Sequence, residues 1–245
     1  MGSEFLTSPF DNLLKPVDDH LIVHNELMSS LILGNRIQIH SSEHGIPDLD
    51  TTKIVIIGIP ENRNSIDYLG DELNLNEIRK SFYNLYPGNW STEIADLGNL
   101  ILGENVEQTY GRIISMLSIL FEKNIIPIII GGSHDLLYAN YRAYDSFKST
   151  VNIVNIDSNF DIGDSAKPIN NLSYLGKIIL DEPHNLFNYS NLGYQTYHNS
   201  QEEIDLMENL YFESYRLGEV CSNIRLSEPV MRDADIVSID LKSVR

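Results

Sequence analysis

The sequence predicts an α/β protein, a three-layer domain in which a mostly parallel sheet is covered by helices. Two observations carry that prediction. Residues 53–60 and 125–130 are apolar at nearly every position and rich in β-branched residues, as strands buried on both faces are. Between such runs lie stretches with helical periodicity, and repeated strand–helix–strand spacing calls for parallel pairing through right-handed crossovers. The 245 residues, 42% hydrophobic and 21% charged, suit one large α/β domain or two small ones with ample core.

In chain order, residues 1–50 are polar and irregular, with Pro16, the pair Asp18-Asp19 and Pro47. They read as an N-terminal extension before a domain over 51–245. The first strand is expected at 54–59, followed by a helix around 76–85 and a strand at 94–97. Residues 105–123 form a long helix, because Val106, Tyr110, Ile113, Ile114, Leu117 and Leu120 recur on one face. A buried strand follows at 125–130, although Pro127 weakens its first half, and Gly131-Gly132 ends it. A helix at 136–146 leads into a strand at 151–156 that stops at Asp157. Strands are expected at 191–197 and 212–217, with the amphipathic helix 201–209 between them. A helix at 228–233 and a last strand at 236–240 complete the pattern.

Charge and composition narrow the function. With 17 Lys+Arg against 35 Asp+Glu, the formal charge is −18, so phosphate backbones are repelled and nucleic acid is not an expected partner. The same charge favours cations, including metal ions and amine or guanidinium compounds. A single cysteine, Cys221, leaves no disulfide framework, zinc-finger cluster or iron–sulfur site. No apolar run approaches the roughly 20 residues of a membrane span, and the N-terminus lacks the basic start and apolar core of a signal peptide. A cytoplasmic location is expected. Neither Gly-x-Gly-x-x-Gly after the first strand nor Gly-Lys-Ser/Thr is present, which argues against a nucleotide site.

In open α/β sheets ligands bind beyond the carboxyl ends of the strands, and three predicted strand ends carry polar clusters. They are Gly131-Gly132-Ser133-His134-Asp135, Asp157-Ser158-Asn159-Phe160-Asp161 and Ser238-Ile239-Asp240-Leu241-Lys242. Singly, each has a structural explanation: a tight turn, a satisfied histidine, an aspartate capping the next helix. All three at successive strand ends bring an imidazole and several carboxylates together, a donor set for Mn²⁺, Mg²⁺ or Zn²⁺.

These motifs resemble the arginase–agmatinase–formimidoylglutamase family of metal-dependent ureohydrolases. That family carries Gly-Gly-Asp-His-Ser, Asp-Ala-His-x-Asp and Ser-x-Asp-x-Asp in this order, and Gly58-Ile59-Pro60 looks like its first-strand Gly-x-Pro. The similarity runs from about residue 53 to the end of the chain, with no motif intact. It implies an arginase-like fold, incomplete at its C-terminus, since the family's final strand and its substrate-binding Glu would fall beyond Arg245. Residues 51–245 are thus expected to be a fragment of a longer chain.

The resemblance also implies two manganese ions that activate water for attack on a guanidinium or formimino carbon. The ligands of one ion would be His134, Asp157, Asp161 and Asp240, with His134 and Asp161 also the catalytic pair. The second ion would share Asp157 and Asp240, but its own His and Asp positions hold Asn159 and Lys242, and a charged Lys binds no metal. The family's catalytic His, expected soon after the second motif, is absent too; Tyr174 stands near its place. In the family four carboxylates balance two divalent ions. Here three would be balanced by one ion and the Lys242 ammonium, or would carry a net −2 in an empty site, where unpaired buried charges shift their pKa values.

Two functions follow from this. The first is a ureohydrolase-family protein that has lost two-metal catalysis, a pseudoenzyme serving as a binding or assembly module. The alternative is a formimidoylglutamase- or arginase-like hydrolase that cleaves a C–N bond of a guanidino or formimino compound with one divalent metal, Mn first among them. The expected partner is a small cationic guanidino or formimino compound; no membrane is expected, and the family association allows a homo-oligomer.

Overall fold

The computed structural model describes residues 9–10, 12–67, 73–89, 91–147, 149–164 and 166–243. The chain divides into two compact units, Met1–Arg63 with Leu69–Gly132, and Asn64–Tyr68 with Ser133–Arg245. The first unit holds strands β1 (Leu14–Lys15), β2 (Gln38–Ile39), β3 (Ile54–Gly58), β4 (Ile94–Leu100) and β5 (Ile126–Ile130). Its helices are α1 (Asp19–Glu26), α2 (Asn76–Tyr83) and α3 (Val106–Glu122). β3 pairs in parallel with both β4 and β5, which explains its complete burial at Val55, Ile56 and Ile57. The other side of β4 takes β2 in parallel and β1 antiparallel.

α3 begins where Asn105 accepts a hydrogen bond from the Gln108 N–H, and it buries Val106, Tyr110, Ile113, Met116, Leu117 and Leu120, the periodic face expected. Beneath α2 lies a buried ion pair: Arg79 donates to both Asp96 oxygens at 2.8 and 3.1 Å, and the Tyr83 hydroxyl donates to Asp96 at 2.7 Å. Gly98, at φ +81°, must be glycine, because a Cβ there would stand 2.0 Å from the Lys15 carbonyl oxygen.

Two expectations change in this unit. Residues 14–39, read as irregular, supply β1, α1 and β2 and bury Leu14, Val17, Leu21 and Leu33. Two-residue strands carry no readable alternation, so only tertiary pairing reveals them. β5 was expected to be buried, yet it is the edge strand of its sheet, with Ile126 64% and Ile128 44% exposed. Burial depends on neighbours that an apolar run does not specify.

The second unit is a parallel four-stranded sheet in the order β8-β7-β6-β9. Its strands are β6 (Val151–Ile156), β7 (Leu186–Tyr194), β8 (Glu213–Arg216) and β9 (Ile236–Ile239). Its helices are α4 (Leu136–Arg142), α5 (Tyr174–Leu180), α6 (Gln201–Asn209), α7 (Leu217–Ser222) and α8 (Ser227–Arg232). One core gathers Tyr141, Val151, Ile153, Phe160, Tyr174, Leu175, Ile178, Tyr189 and Met207. A capping box between Ser200 and Glu203 starts α6. α5 was not anticipated. Its Gly176 lowers helix propensity, but a Cβ there would lie 2.2 Å from the Ile162 carbonyl oxygen, so close packing requires it. β7 starts five residues earlier than expected and ends before the 3₁₀ turn Thr196–His198.

The α/β class and the predominantly parallel pairing match the sequence prediction, and each unit carries its own sheet. Among the described residues no helix is long and apolar enough to cross a membrane.

Candidate metal centre

The second unit brings the predicted ligands together. His134 precedes α4 in a turn where the Leu137 N–H donates to the His134 carbonyl at 3.1 Å. Asp157 follows β6 directly, Asp161 lies four residues on, and Asp240 follows β9. β6 and β9 are adjacent and in register, with Ile156 opposite Ile239, so the residues after each strand emerge side by side. His134 Nδ1 lies 3.3 Å from Asp157 Oδ2, 3.6 Å from Asp161 Oδ2 and 3.5 Å from Asp240 Oδ2. His134, Asp157 and Asp240 each place one donor atom within 4.8 Å of the other two.

The surroundings fix these side chains. His134 Nε2 is 2.7 Å from the Ser238 hydroxyl, a bond that orients the ring and turns Nδ1 to the carboxylates, as partners of ligating histidines do. The Tyr174 ring packs 4.7 Å from the imidazole centroid. Asp157 Oδ1 accepts the Asn159 N–H at 3.1 Å, and Asp240 Oδ1 accepts the Lys242 N–H at 2.8 Å. Asp161 adopts φ +57°, a left-handed conformation uncommon outside glycine and met at sites where geometry is imposed.

The electrostatics describe a strained cluster. Burial opposes a charged imidazole, yet the contacts to Asp157, Asp161 and Asp240 outweigh it and hold His134 well above its ordinary pKa. Burial pushes Asp161 up to about 7, with the Asp157 charge adding to the effect and His134 opposing it. Asp240 is also raised by burial, but His134 and the Lys242 N–H bring it below the ordinary carboxylate value.

A divalent cation fits this set. His134 Nδ1 and Asp157 Oδ2 are buried and make no aligned hydrogen bond; at 3.3 Å they touch as an ion pair only. Neighbouring donors around one ion with bonds of about 2.1 Å lie about 3.0 Å apart, close to the separations here. One imidazole and three carboxylates match hard or borderline ions.

The two positions of the family's second site behave differently. The Asn159 amide donates to the His198 carbonyl at 3.3 Å, and its Oδ1 accepts from Ser158 at 2.8 Å, so both ends of the amide are engaged outside the cluster. Lys242, whose ammonium was expected to balance the carboxylates, donates instead to Asp67. An extended strand continued through this segment would place residues 240 and 242 on one side. β9 ends at Ile239 and Leu241–Ser243 is a 3₁₀ turn, which rotates Lys242 away. The Tyr174 hydroxyl, near the place of the family's catalytic His, accepts from the Asn155 amide at 3.0 Å inside the core.

Three site residues escaped the sequence reading. Ser238 lay inside a quoted motif without a role, and its spacing two before Asp240 was the available signal. Asp67 and Asn171 had no signal, since neither sits at a strand end or in a motif.

The Arginase family model matches residues 52–240, most of the chain. The chain belongs to the arginase family. Among curated relatives it is 29% identical over 157 residues to the formimidoylglutamase of Macrococcus caseolyticus, covering 62% of this chain and 48% of that one. To the formimidoylglutamase of Lysinibacillus sphaericus it is 24% identical over 145 residues, covering 58% and 44%. The chain thus spans about half the length of these arginase-family relatives. Among solved structures, Trypanosoma cruzi formiminoglutamase with Mn²⁺ aligns with a TM-score of 0.71 at 17% identity, covering 87% of this chain and 76% of that one. Formimidoylglutamase from Bacillus subtilis aligns at 0.65 and 18%, covering 83% and 74%. At these identities the likeness is one of fold.

Proposed function

We propose that this arginase-family chain holds a single divalent ion, Mn²⁺ first among candidates, on His134, Asp157, Asp161 and Asp240. It uses that ion to bind a small guanidino or formimino compound without two-metal hydrolysis. The observation that carries the reading is an asymmetry. All four positions of one ion's ligand set converge on a buried centre, while both positions particular to the second ion are engaged elsewhere. The Mn²⁺ of the T. cruzi formiminoglutamase structure supports that choice of metal, as does a donor set dominated by carboxylates.

When bound, a divalent ion supplies Lewis acidity toward an amidine and toward water. The chain's own residues do the rest. Ser238 holds the imidazole with Nδ1 inward, the Lys242 N–H holds one Asp240 oxygen away from the centre, and Tyr174 screens the ring from water. Loss of the second ion's ligands together with the catalytic His favours binding over turnover, because members of a catalytic unit fail together.

A one-metal hydrolase is the second reading, favoured by the completeness of the first ligand set. Elemental analysis after Mn²⁺ reconstitution, paired with an assay of ammonia, urea or formamide release from guanidino and formimino amino acids, decides between them. One ion per chain with no turnover is expected. Turnover lost in Asp157→Asn would establish the hydrolase, and two ions, or none, would overturn the single-ion centre.

A further inference from the structure

Lys242 does more than fail as a ligand. Its ammonium donates to Asp67 Oδ2, and the same carboxylate oxygen accepts the Asn171 amide at 2.9 Å. The other end of that amide, Asn171 Oδ1, accepts the main-chain N–H of Ile66 at 2.8 Å. Nearby, the Asn64 amide reaches Asp135 Oδ2 at 3.5 Å. Residues 64–67 are thus gripped by three separate parts of their own unit: the turn after β9, the segment before α5, and the turn before α4. They lie far in sequence from the bulk of that unit, Ser133–Arg245.

The grip runs back to the metal centre through one residue. Asp240 presents Oδ2 to His134 at 3.5 Å and accepts the Lys242 N–H on Oδ1 at 2.8 Å, while its carbonyl accepts the Ser243 N–H at 3.0 Å. Asp240 therefore organises the Leu241–Ser243 turn that delivers the ammonium to Asp67.

We propose that Lys242, Asp67 and Asn171 form a clasp that docks residues 64–67 as a wall of the metal centre, with Lys242 a positioning residue that links docking to ion binding through Asp240. This rests on the single-ion reading for its linkage, though not for the clasp itself. The position where the family carries a second-ion ligand has become a tether of fixed charge. An ion that immobilises Asp240 fixes the turn and favours the docked segment. Linkage then requires the docked segment to raise ion affinity by the same factor.

The Ile66 amide is a direct reporter, because its hydrogen bond exists only in the docked state. Amide exchange is measured by NMR or mass spectrometry on the full chain, with and without Mn²⁺, alongside metal content. In wild type, Mn²⁺ should slow Ile66 exchange by about tenfold, within the usual range of such couplings. In Lys242→Met and Asp67→Asn, Ile66 should exchange faster than in metal-free wild type and should not respond to Mn²⁺. Each variant should still bind one ion, about tenfold more weakly. Lys242→Arg, which can still reach Asp67, should restore slow exchange. Wild-type exchange unmoved by a bound ion overturns the linkage, and Ile66 exchange unchanged in both variants overturns the clasp. Wild type that binds no ion overturns the single-ion reading instead, and the metal-free comparison of variants then decides the clasp alone.

Discussion

Replacing Asp157 with Asn should make the metal-free protein more stable, although Asp157 is the most deeply buried carboxylate of the centre. At pH 8, above the value of about 7 to which burial pushes Asp161, all three aspartates face one imidazolium. At an effective dielectric of 20, the attraction of Asp157 to His134 across 3.3 Å is worth about 5 kcal/mol. Asp240, within 4.8 Å, repels it by about 3.5 kcal/mol. Asp161 lies at most roughly 7 Å away, the two contacts to His134 Nδ1 laid end to end, and adds at least about 2.4 kcal/mol. The repulsions slightly exceed the attraction, so desolvation of the buried charge decides the sign. The amide keeps an oxygen to accept the Asn159 N–H. A gain of about 1–3 kcal/mol in urea unfolding with chelator is expected, within the range of single substitutions. Added Mn²⁺ should reverse the ranking, since an ion at a hundred times its dissociation constant stabilises only the protein that binds it, by about 2.7 kcal/mol. If Asp157→Asn loses more than about 1 kcal/mol in chelator, the cluster is not the repulsive, ion-seeking site described, and the metal assignment loses its physical basis.

Three further outcomes follow from the same geometry. Metal-free stability should fall as pH rises from 5 to 8: the folded-state pKa of Asp161 is raised to about 7, above the ordinary 3.9 or so, so the folded state holds the extra proton. Asp161→Asn should flatten that slope in pH-dependent thermal melts. Ser238→Ala removes the 2.7 Å bond to His134 Nε2 and should weaken Mn²⁺ binding about 10- to 100-fold in titration calorimetry. Arg79→Met strands the buried Asp96 carboxylate and should cost about 3–5 kcal/mol in denaturant unfolding, whereas Arg79→Met with Asp96→Leu should recover much of that loss.

What could be read before folding was local or motif-bound. The Ile- and Val-rich run of β3, the amphipathic face of α3 and the helix 201–209 follow from side-chain periodicity, which a helix or strand imposes on its own residues. The convergence of two of the candidate ligands has a related cause. Parallel strands align their carboxyl ends, so residues just after β6 and β9 must meet wherever those strands pair. His134, Asp157, Asp161 and Asp240 were named as a ligand set by the resemblance of the three strand-end motifs to the arginase family.

Everything that depended on a distant neighbour was decided by the tertiary structure. The apolar run of β5 gave no hint that it would be a sheet edge with Ile126 and Ile128 in solvent, because exposure is set by what packs alongside. β1 and β2 exist only through pairing with β4. Nothing local marks the partner of Lys242, and the turn at Leu241–Ser243 sends it to Asp67, 175 positions away in sequence. Short-range stereochemistry is written residue by residue; a contact between remote charges is chosen only when the whole chain has settled which turns end which strands.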